Sequence, residues 1–493
     1  MQPHPRRWLI LIVLCLSTLV LVIDNMALTV AVPALAADLG ADSQDVQWIL
    51  ESYMLAFAGL LLTAGSLSDR YGRRKIMVIG LVIFGAASLA ATFAGDPGQL
   101  IAARVAMGLG GSLVMPSTLS ILIVVFPEET ERRKAMAAGA AFALLGLIGG
   151  PVAGGVLTTA LGWESVFWIN LPIAALAVIA ALTLMPESKG PATRADPLGA
   201  VLSVIGMSAL VWTINELAHG VAWIPLVVTV LALGAFVAWE LRTAHPMVPL
   251  ALFRDRDFAG GSLSLTLVQV GNGGLLLVLT QYLQFVLGYT PTQAGLAFIP
   301  MFVASIVFNG LGAALGGRIG NRATAVAGML VMAAGFALLG FASTDGFAVL
   351  AVAQVVLGAG SGLAAPSAVA ALMGAIPTDR AGVGSALNDT IQQAGAALGV
   401  AALGALATGS YTAAMPADAS QEARRSVAAA VADPSLADAA RQAYDSAMTT
   451  AFAGATAGVL AAAVVALFLL RGRGPAAPTV AQAQQPAPVA PVH

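Results

Sequence analysis

The sequence predicts an all-α integral membrane protein, and three observations carry that prediction. The 493 residues are 58% hydrophobic and only 10% charged, with a mean hydropathy of +0.87, whereas soluble domains carry about 25% charged residues. Long apolar runs such as "WLILIVLCLSTLVLVI" lack period-two alternation, which argues against barrel strands. The runs are about 20 residues or longer, enough for a helix to cross roughly 30 Å of hydrocarbon with its backbone amides paired internally.

Fourteen spans follow in chain order as α1–α14: 8–33, 45–66, 76–95, 99–125, 135–160, 164–185, 197–217, 221–240, 258–286, 293–317, 323–343, 347–376, 381–409 and 447–470. The α1 run is preceded by Arg6 and Arg7 and is too long for a signal-peptide core, so it is expected to remain as a helix. An even count puts both termini on one side. With that side cytoplasmic, nineteen of the 23 bases fall inside, while short outer loops carry acids such as Asp38, Asp42, Asp96 and Asp345. This is the positive-inside pattern of a multi-pass membrane protein with both termini in the cytoplasm. A twelve-span chain would need two of these helices to be re-entrant, and no pair suits that.

The chain repeats itself. "GLGGSLVMPSTLSIL" (108–122) matches "GAGSGLAAPSAVAAL" (358–372), so Pro116 pairs with Pro366 and Ser117 with Ser367. "SDRYGRR" (68–74) has a fainter echo in "GGRIGNR" (316–322). The organisation read from this is a six-helix bundle over 1–190, a two-helix insert with linkers over 191–257, a second six-helix bundle over 258–473 and a disordered Ala/Pro/Gln-rich tail over 474–493. Duplicated bundles around a midplane cavity are the architecture of many secondary transporters. Loop 410–446 is either a short helix capping the outer mouth or a flexible tether.

Charges inside spans mark function by default. Asp24 in α1, Glu51 in α2 and Arg104 in α4 fall at similar depth in the outer half, and Asp389 in α13 lies nearer the midplane. Each has two readings. Glu51 with Arg104, for example, can be a structural pair. Alternatively the carboxylates load and release protons or attract a lipophilic cation, with Arg104 as charge partner. Glu216 in α7 is a weaker candidate, and Glu164 and Glu240 are read as structural, at span ends reached by water. Aromatic faces add cation–π attraction, which makes Trp48, Tyr53, Phe57, Tyr282 and Phe285 candidate cavity residues. The neutral polar groups Gln269, Asn272, Gln281, Gln284 and Asn309 suit a water-lined cavity or interhelical bonding equally.

Two further motifs stand out. "GLIGGPVAGG" puts Gly146, Gly150 and Gly154 on one face of α5, widened by Gly149 and Gly155 and bent by Pro151. It is either a tight static crossing or a gate between bundles. "GSLSDRYGRRK" between α2 and α3 combines Gly65, Asp69, Arg70, Gly72, Arg73, Arg74 and Lys75. Gly65 ends α2, Gly72 permits a turn closed to other residues, and the mixture suggests a latch between bundles on the inner side.

The composition bounds what else is present. Cys15 is the sole cysteine, excluding an intrachain disulfide or thiolate cluster. His4, His219, His245 and His493 have no metal-ligand spacing, so no metal and no cofactor is expected. The net charge of −2 says little about partners, and nucleic acid is not expected among them. No Ser/His/Asp set or phosphate loop appears, which argues against an enzyme or an ATP-driven pump.

"GSLSDRYGRRK" resembles the inner-loop signature of the major facilitator superfamily, and "LIAARVAMGLGG" (100–111) its α4 element with Arg104. "GLIGGPVAGG" resembles the α5 signature of antiporters. "IDNMALTVAVPAL" (23–35), "QWILESYML" (47–55) and "GWESVFWINLPI" (162–173) resemble segments of the fourteen-helix drug:proton antiporter family. The resemblance implies proton-driven export of lipophilic, cationic compounds from a bacterial plasma membrane by alternating access, with a monomer in membrane lipid as the working unit. It places Asp24 and Glu51 in protonation and cation recognition, and Asp389 in a region where some relatives carry acids. The chain departs from the pattern at Gly317, where the first half has Asp69, and in α10, which lacks an acid that some polyspecific members have. A narrow exporter of one metabolite, lipid or self-made antibiotic is the second expectation.

Overall fold

The computed structural model describes residues 6–126, 128–189, 196–217, 223–243, 246, 248, 250–341, 347–376 and 381–470. The tail 474–493, Arg380 and all four histidines lie outside them. Among the described residues, fourteen helices are long and apolar enough to cross a membrane: α1 Arg7–Leu39, α2 Ser43–Tyr71, α3 Arg73–Ala91, α4 Pro97–Leu122, α5 Lys134–Leu161, α6 Ser165–Leu184, α7 Pro197–Glu216, α8 Trp223–Glu240, α9 Arg256–Val286, α10 Pro291–Ile319, α11 Asn321–Gly340, α12 Phe347–Gly374, α13 Gly384–Ala414 and α14 Ala437–Leu469.

Local chemistry sets the boundaries. Gly40 ends α1 in the left-handed region at φ +62°, and Asp42 and Asp45 form a capping box that starts α2. Asp96, Asp196 and Asp255 cap α4, α7 and α9 by accepting backbone N–H bonds. Thr290 and Gln293 form the box that starts α10, with Pro291 in its first turn. Gly65 does not end α2. It lies inside the helix with Pro116 of α4 as its neighbour, and α2 continues to Tyr71, where Gly72 at φ +118° makes the turn. Gly320 makes the equivalent turn after α10 at φ +93°, so the sequence echo is also a conformational one. The last turn of α9 is a π-helical segment, Tyr282–Val286.

One core of buried apolar residues is built mainly from α1–α6 and a second mainly from α9–α14. We describe these as the first and second bundles. Small residues let backbones approach, which is how helices associate where lipid removes the hydrophobic drive. Gly108 of α4 meets the backbone of α2 at Tyr53, and Gly358 of α12 meets α10 at Met301. Large apolar side chains such as Leu145, Ile179, Leu231 and Phe468 are exposed on the outside of the assembly, as a lipid-facing surface requires.

Helices α7 and α8 pack on each other, and α7 also lies against α2 and α13. The connection between α13 and α14 forms two short helices, Gln421–Arg425 and Val427–Ala432, with Ser420 and Ser426 as caps. Tyr411 Oη donates to Ala423 O at 2.9 Å, and Ser43 Oγ of α2 donates to Arg425 O at 2.8 Å. Of the two expectations for this loop, the helical cap is the one observed.

Candidate functional site

A charged pair lies sealed inside the first bundle. Asp24 and Arg104 are 1% and 0% exposed, and Arg104 Nη1 lies 2.5 Å from Asp24 Oδ2. Asn170 of α6 donates to Asp24 Oδ1 at 2.7 Å and to Ser88 Oγ of α3 at 3.0 Å. Arg104 Nε donates to Ile49 O of α2 at 3.3 Å, and its guanidinium stands 4.4 Å from the Tyr53 ring centroid. Five helices thus meet at one ion pair. Buried ions are costly unless closely paired and hydrogen-bonded; here the pair is close and Arg104 Nε and Nη1 are bonded, while Arg104 Nη2 has no hydrogen-bond partner among the described residues. A proton on Asp24 would leave Arg104 without its counterion.

The pairing of Glu51 with Arg104 does not occur. Glu51 lies on another face of α2, where its Oε2 accepts from Asn215 Nδ2 of α7 at 3.1 Å and its side chain is fully buried. Asp389 is half-buried and accepts from its neighbour Asn388 at 3.0 Å. Glu216 accepts from Gln44 and Trp212 at the end of α7. Glu240 is not at a wetted end: it is 4% exposed and accepts from Val248 N at 2.9 Å.

A central cavity of about 400 Å³ lies between the bundles, halfway along the spans. Of the proposed lining residues, Tyr53, Phe57, Gln269, Asn272 and Asn309 line it. Trp48, Gln281, Tyr282, Gln284 and Phe285 do not. Gln281 lines a small separate crevice with Gln47 and Tyr411, Tyr282 is fully buried, and Gln284 Nε2 donates to Val30 O at 2.8 Å, tying α9 to α1. No carboxylate is among the lining residues described. The cavity's polar groups are hydroxyls and amides, including Asn25, Thr29, Ser361, Gln392 and Gln393, which sequence reasoning did not single out. Helical phase explains the absence of Asp24 and Glu51. Leu21, Val22 and Asn25 of α1 face the cavity while Asp24 faces α4; Leu50, Tyr53 and Met54 of α2 face it while Glu51 faces α7. Asp389 precedes Gln392 and Gln393 by three and four residues, so it lies one turn from the cavity on their side of α13.

The bundles join at the end remote from the base-rich loops. A Cβ on Gly155 of α5 would lie 2.8 Å from Thr292 Cα of α10, and one on Gly295 of α10 would lie 2.8 Å from Pro151 C. Thr292 Oγ1 donates to Gly155 O at 3.0 Å. The glycine face of α5 therefore divides. Pro151 and Gly155 meet the opposite bundle, whereas Gly146, Gly150 and Gly154 pack on α1 within their own bundle, because their four-residue spacing points them there. The three are a tight crossing rather than a contact between bundles.

At the base-rich end, the segment of residues 65–75, the end of α2 and the start of α3 joined by Gly72, contacts its own bundle. Arg73 Nη2 lies 2.8 Å from Asp69 Oδ1 and its Nη1 donates to Ser120 O at 3.3 Å. Arg74 Nη1 donates to Met185 O at 2.9 Å, and Glu187 accepts the backbone N–H groups of Arg74 and Lys75. Arg70 is exposed over the Tyr71 ring at 5.3 Å. Gly72 leaves room for Glu187, whose Cδ would lie 2.7 Å from an added Cβ.

Sequence reasoning also missed Asn170 and Asn215, the neutral partners of the two buried acids. The available signal was a lone amide inside an apolar span, in "FWINLPI" and "WTINEL".

A family model described as Major Facilitator Superfamily matches residues 14–257 and 261–492. The puromycin resistance protein pur8 of Streptomyces alboniger is 37% identical over 424 residues, 83% of this chain and 84% of that protein. The multidrug efflux pump LfrA of Mycolicibacterium smegmatis is 33% identical, covering 93% and 95%. Among solved structures, a bacterial homolog of the human lysosomal transporter Spinster, inward-facing and occupied, superposes with a TM-score of 0.69 at 16% identity, covering 96% of this chain and 98% of that one. That last likeness is one of fold.

Proposed function

The chain belongs to the Major Facilitator Superfamily, and we propose that it exports lipophilic, cationic compounds across a bacterial plasma membrane in exchange for protons. The relatives it matches are multidrug and antibiotic efflux proteins, and fourteen apolar helices make it a multi-pass membrane transporter. Proton exchange and cationic cargo are supported by a division of charge around α1. A charged pair is sealed on one face of α1, and a neutral, amide-lined cavity lies against the other.

In this reading the base-rich end and both termini are cytoplasmic. The outer end is closed by α5 against α10, so cargo enters from the cytoplasm or inner leaflet. The segment of residues 65–75 is a latch in its released state, engaging the second bundle when the inner side shuts. Protons and cargo do not compete for one carboxylate in the cavity. A proton on Asp24 frees Arg104 and lets α1 shift, and α1 carries Leu21, Val22 and Asn25 with it. The exchange is coupled through helix position, not through shared ligands. Asp389, one turn from Gln392 and Gln393, supplies the negative charge that favours a cation.

The test is dye and drug transport in vesicles with an imposed pH gradient, run against monocations, dications and neutral drugs. Accumulation driven by the gradient and strongest for monocations supports the reading; transport of every compound at a rate indifferent to the gradient contradicts it. A second reading, a narrow exporter of a self-made antibiotic, is favoured by the 37% identity to a puromycin resistance protein. A response confined to one compound of the panel would select it.

A further inference from the structure

The inserted helices have no part in the exchange described above, yet α7 tracks α2 along much of its length. Gln44 Nε2 donates to Glu216 Oε1 at 3.1 Å, Asn215 Nδ2 donates to Glu51 Oε2 at 3.1 Å, and Gly59 faces Val204. Glu51 and Asn215 are 0% and 2% exposed. Glu51 Oε1 and Asn215 Oδ1 are both buried acceptors with no hydrogen-bond partner among the described residues. A buried acceptor without a donor is destabilising. A proton on Glu51 Oε1 would turn that acceptor into a donor. A carboxamide offers a donor and an acceptor on one edge, and a protonated carboxyl offers the complementary pair. The other charged or titratable groups on the helices around Glu51 are engaged elsewhere: Asp24 with Arg104, Asp45 with Asp42, Glu216 with Gln44 and Trp212, Asp389 with Asn388, and Tyr411 with Ala423; Tyr53 lies against Arg104.

We propose that Glu51 and Asn215 form a proton-holding site of which the inserted helix supplies half, so that α7 is a working part of the transport cycle. Asn215 is a positioning residue. Loading forms one O–H bond at Glu51 Oε1 with a proton taken from water, and release breaks that bond and returns the proton to water. Use of the site in transport rests on the proton-coupled reading, but its occupancy is measurable without transport.

The experiment is infrared difference spectroscopy of the full chain in lipid, between acid and alkaline buffers in H2O and D2O. A deuterium-sensitive carboxylic C=O band is expected in the wild type, absent in Glu51→Gln and displaced to higher frequency in Asn215→Leu, where its hydrogen bonding is lost. Asn215→Ser, a smaller change, should displace the same band if Asn215→Leu fails to fold. Gradient-driven dye export should fall about tenfold in Asn215→Leu, equivalent to about 1.4 kcal/mol, and recover in part in Asn215→Gln, which keeps the carboxamide. Absence of any Glu51 band, or unchanged band positions in the Asn215 variants, overturns the proposal. A wild type with the Glu51 band whose export ignores the gradient supports the site and overturns the proton-coupled reading instead.

Discussion

At equivalent places in the two bundles, α4 buries an arginine and α12 a glutamine. "LIAARVAMGLGG" and "LAVAQVVLGAGS" align residue by residue from Leu100 and Leu350, and both Arg104 and Gln354 are 0% exposed. The scaffolds match: Gly108 and Gly358 approach α2 and α10, while Gly110 and Gly360 approach α3 and α11. The chemistry does not. Arg104 is paired with Asp24 and supported by Ile49 O and Tyr53, whereas neither carboxamide atom of Gln354 has a partner among the described residues. The cavity shows the reverse bias, since its side-chain amides come mainly from the second bundle, at Gln269, Asn272, Asn309, Gln392 and Gln393. In the exchange proposed above, one bundle plan serves two tasks, with the buried ion pair of the first bundle handling charge and the neutral amides of the second facing the cavity.

The largest effect is expected where that difference is erased. Asp24→Asn leaves Arg104 buried without its counterion, which should cost about 3–5 kcal/mol of stability and abolish gradient-driven export. Adding Arg104→Gln gives α4 the residue α12 already has. Thermal unfolding in detergent should return toward wild type while export stays absent. A double variant exporting normally would mean that the charge asymmetry has no part in transport.

Gly150→Leu and Gly395→Leu probe what the copies share. An added Cβ would lie 2.5 Å from Met26 Cβ in the first case and 2.8 Å from Thr266 O in the second. Both overpack a tight crossing, at about 1–3 kcal/mol, and both should slow export about tenfold in the same vesicle assay. Loss in only one would show that the crossings are not equivalent.

Removing a single second-bundle amide should do less. Gln393→Ala is expected to change the apparent affinity for individual dyes several-fold, the size of one hydrogen bond of about 1 kcal/mol, while export keeps its dependence on the pH gradient. Loss of gradient dependence there would place proton chemistry in the second bundle as well. Smallest of all, Gln354→Leu should leave export unchanged and hold or raise the melting temperature, since it removes a buried amide whose unmet bonds cost about 1–3 kcal/mol.

The span pattern was readable from the sequence because hydrocarbon imposes a length and a composition that no other environment does. The errors fell where helices leave the apolar layer. Helix α14 begins at Ala437, ten residues before the expected start, because "ADAARQAYDS" is helical but too polar to signal a span. Gly65 was read as a terminator although the turn needs positive φ only at Gly72. The acids were visible one by one because charge is rare in these spans. Their surroundings were not, because which face residue 24 or 51 presents depends on helix phase against neighbours remote in the chain. Asp24 and Asn25 are adjacent in sequence, yet one meets Arg104 and the other the cavity. Asn170 and Asn215 stayed hidden because a neutral amide in an apolar run does not declare its partner.

The most direct measurement is proton release when cargo binds. Purified protein in weakly buffered detergent solution is mixed with a lipophilic monocation, and a pH indicator records the protons displaced. Release is expected from the wild type, reduced in Glu51→Gln and lost when Asp24→Asn is combined with Arg104→Gln, with release preserved in Gln354→Leu. Cargo binding without proton release in the wild type, or equal release from all four proteins, would contradict it.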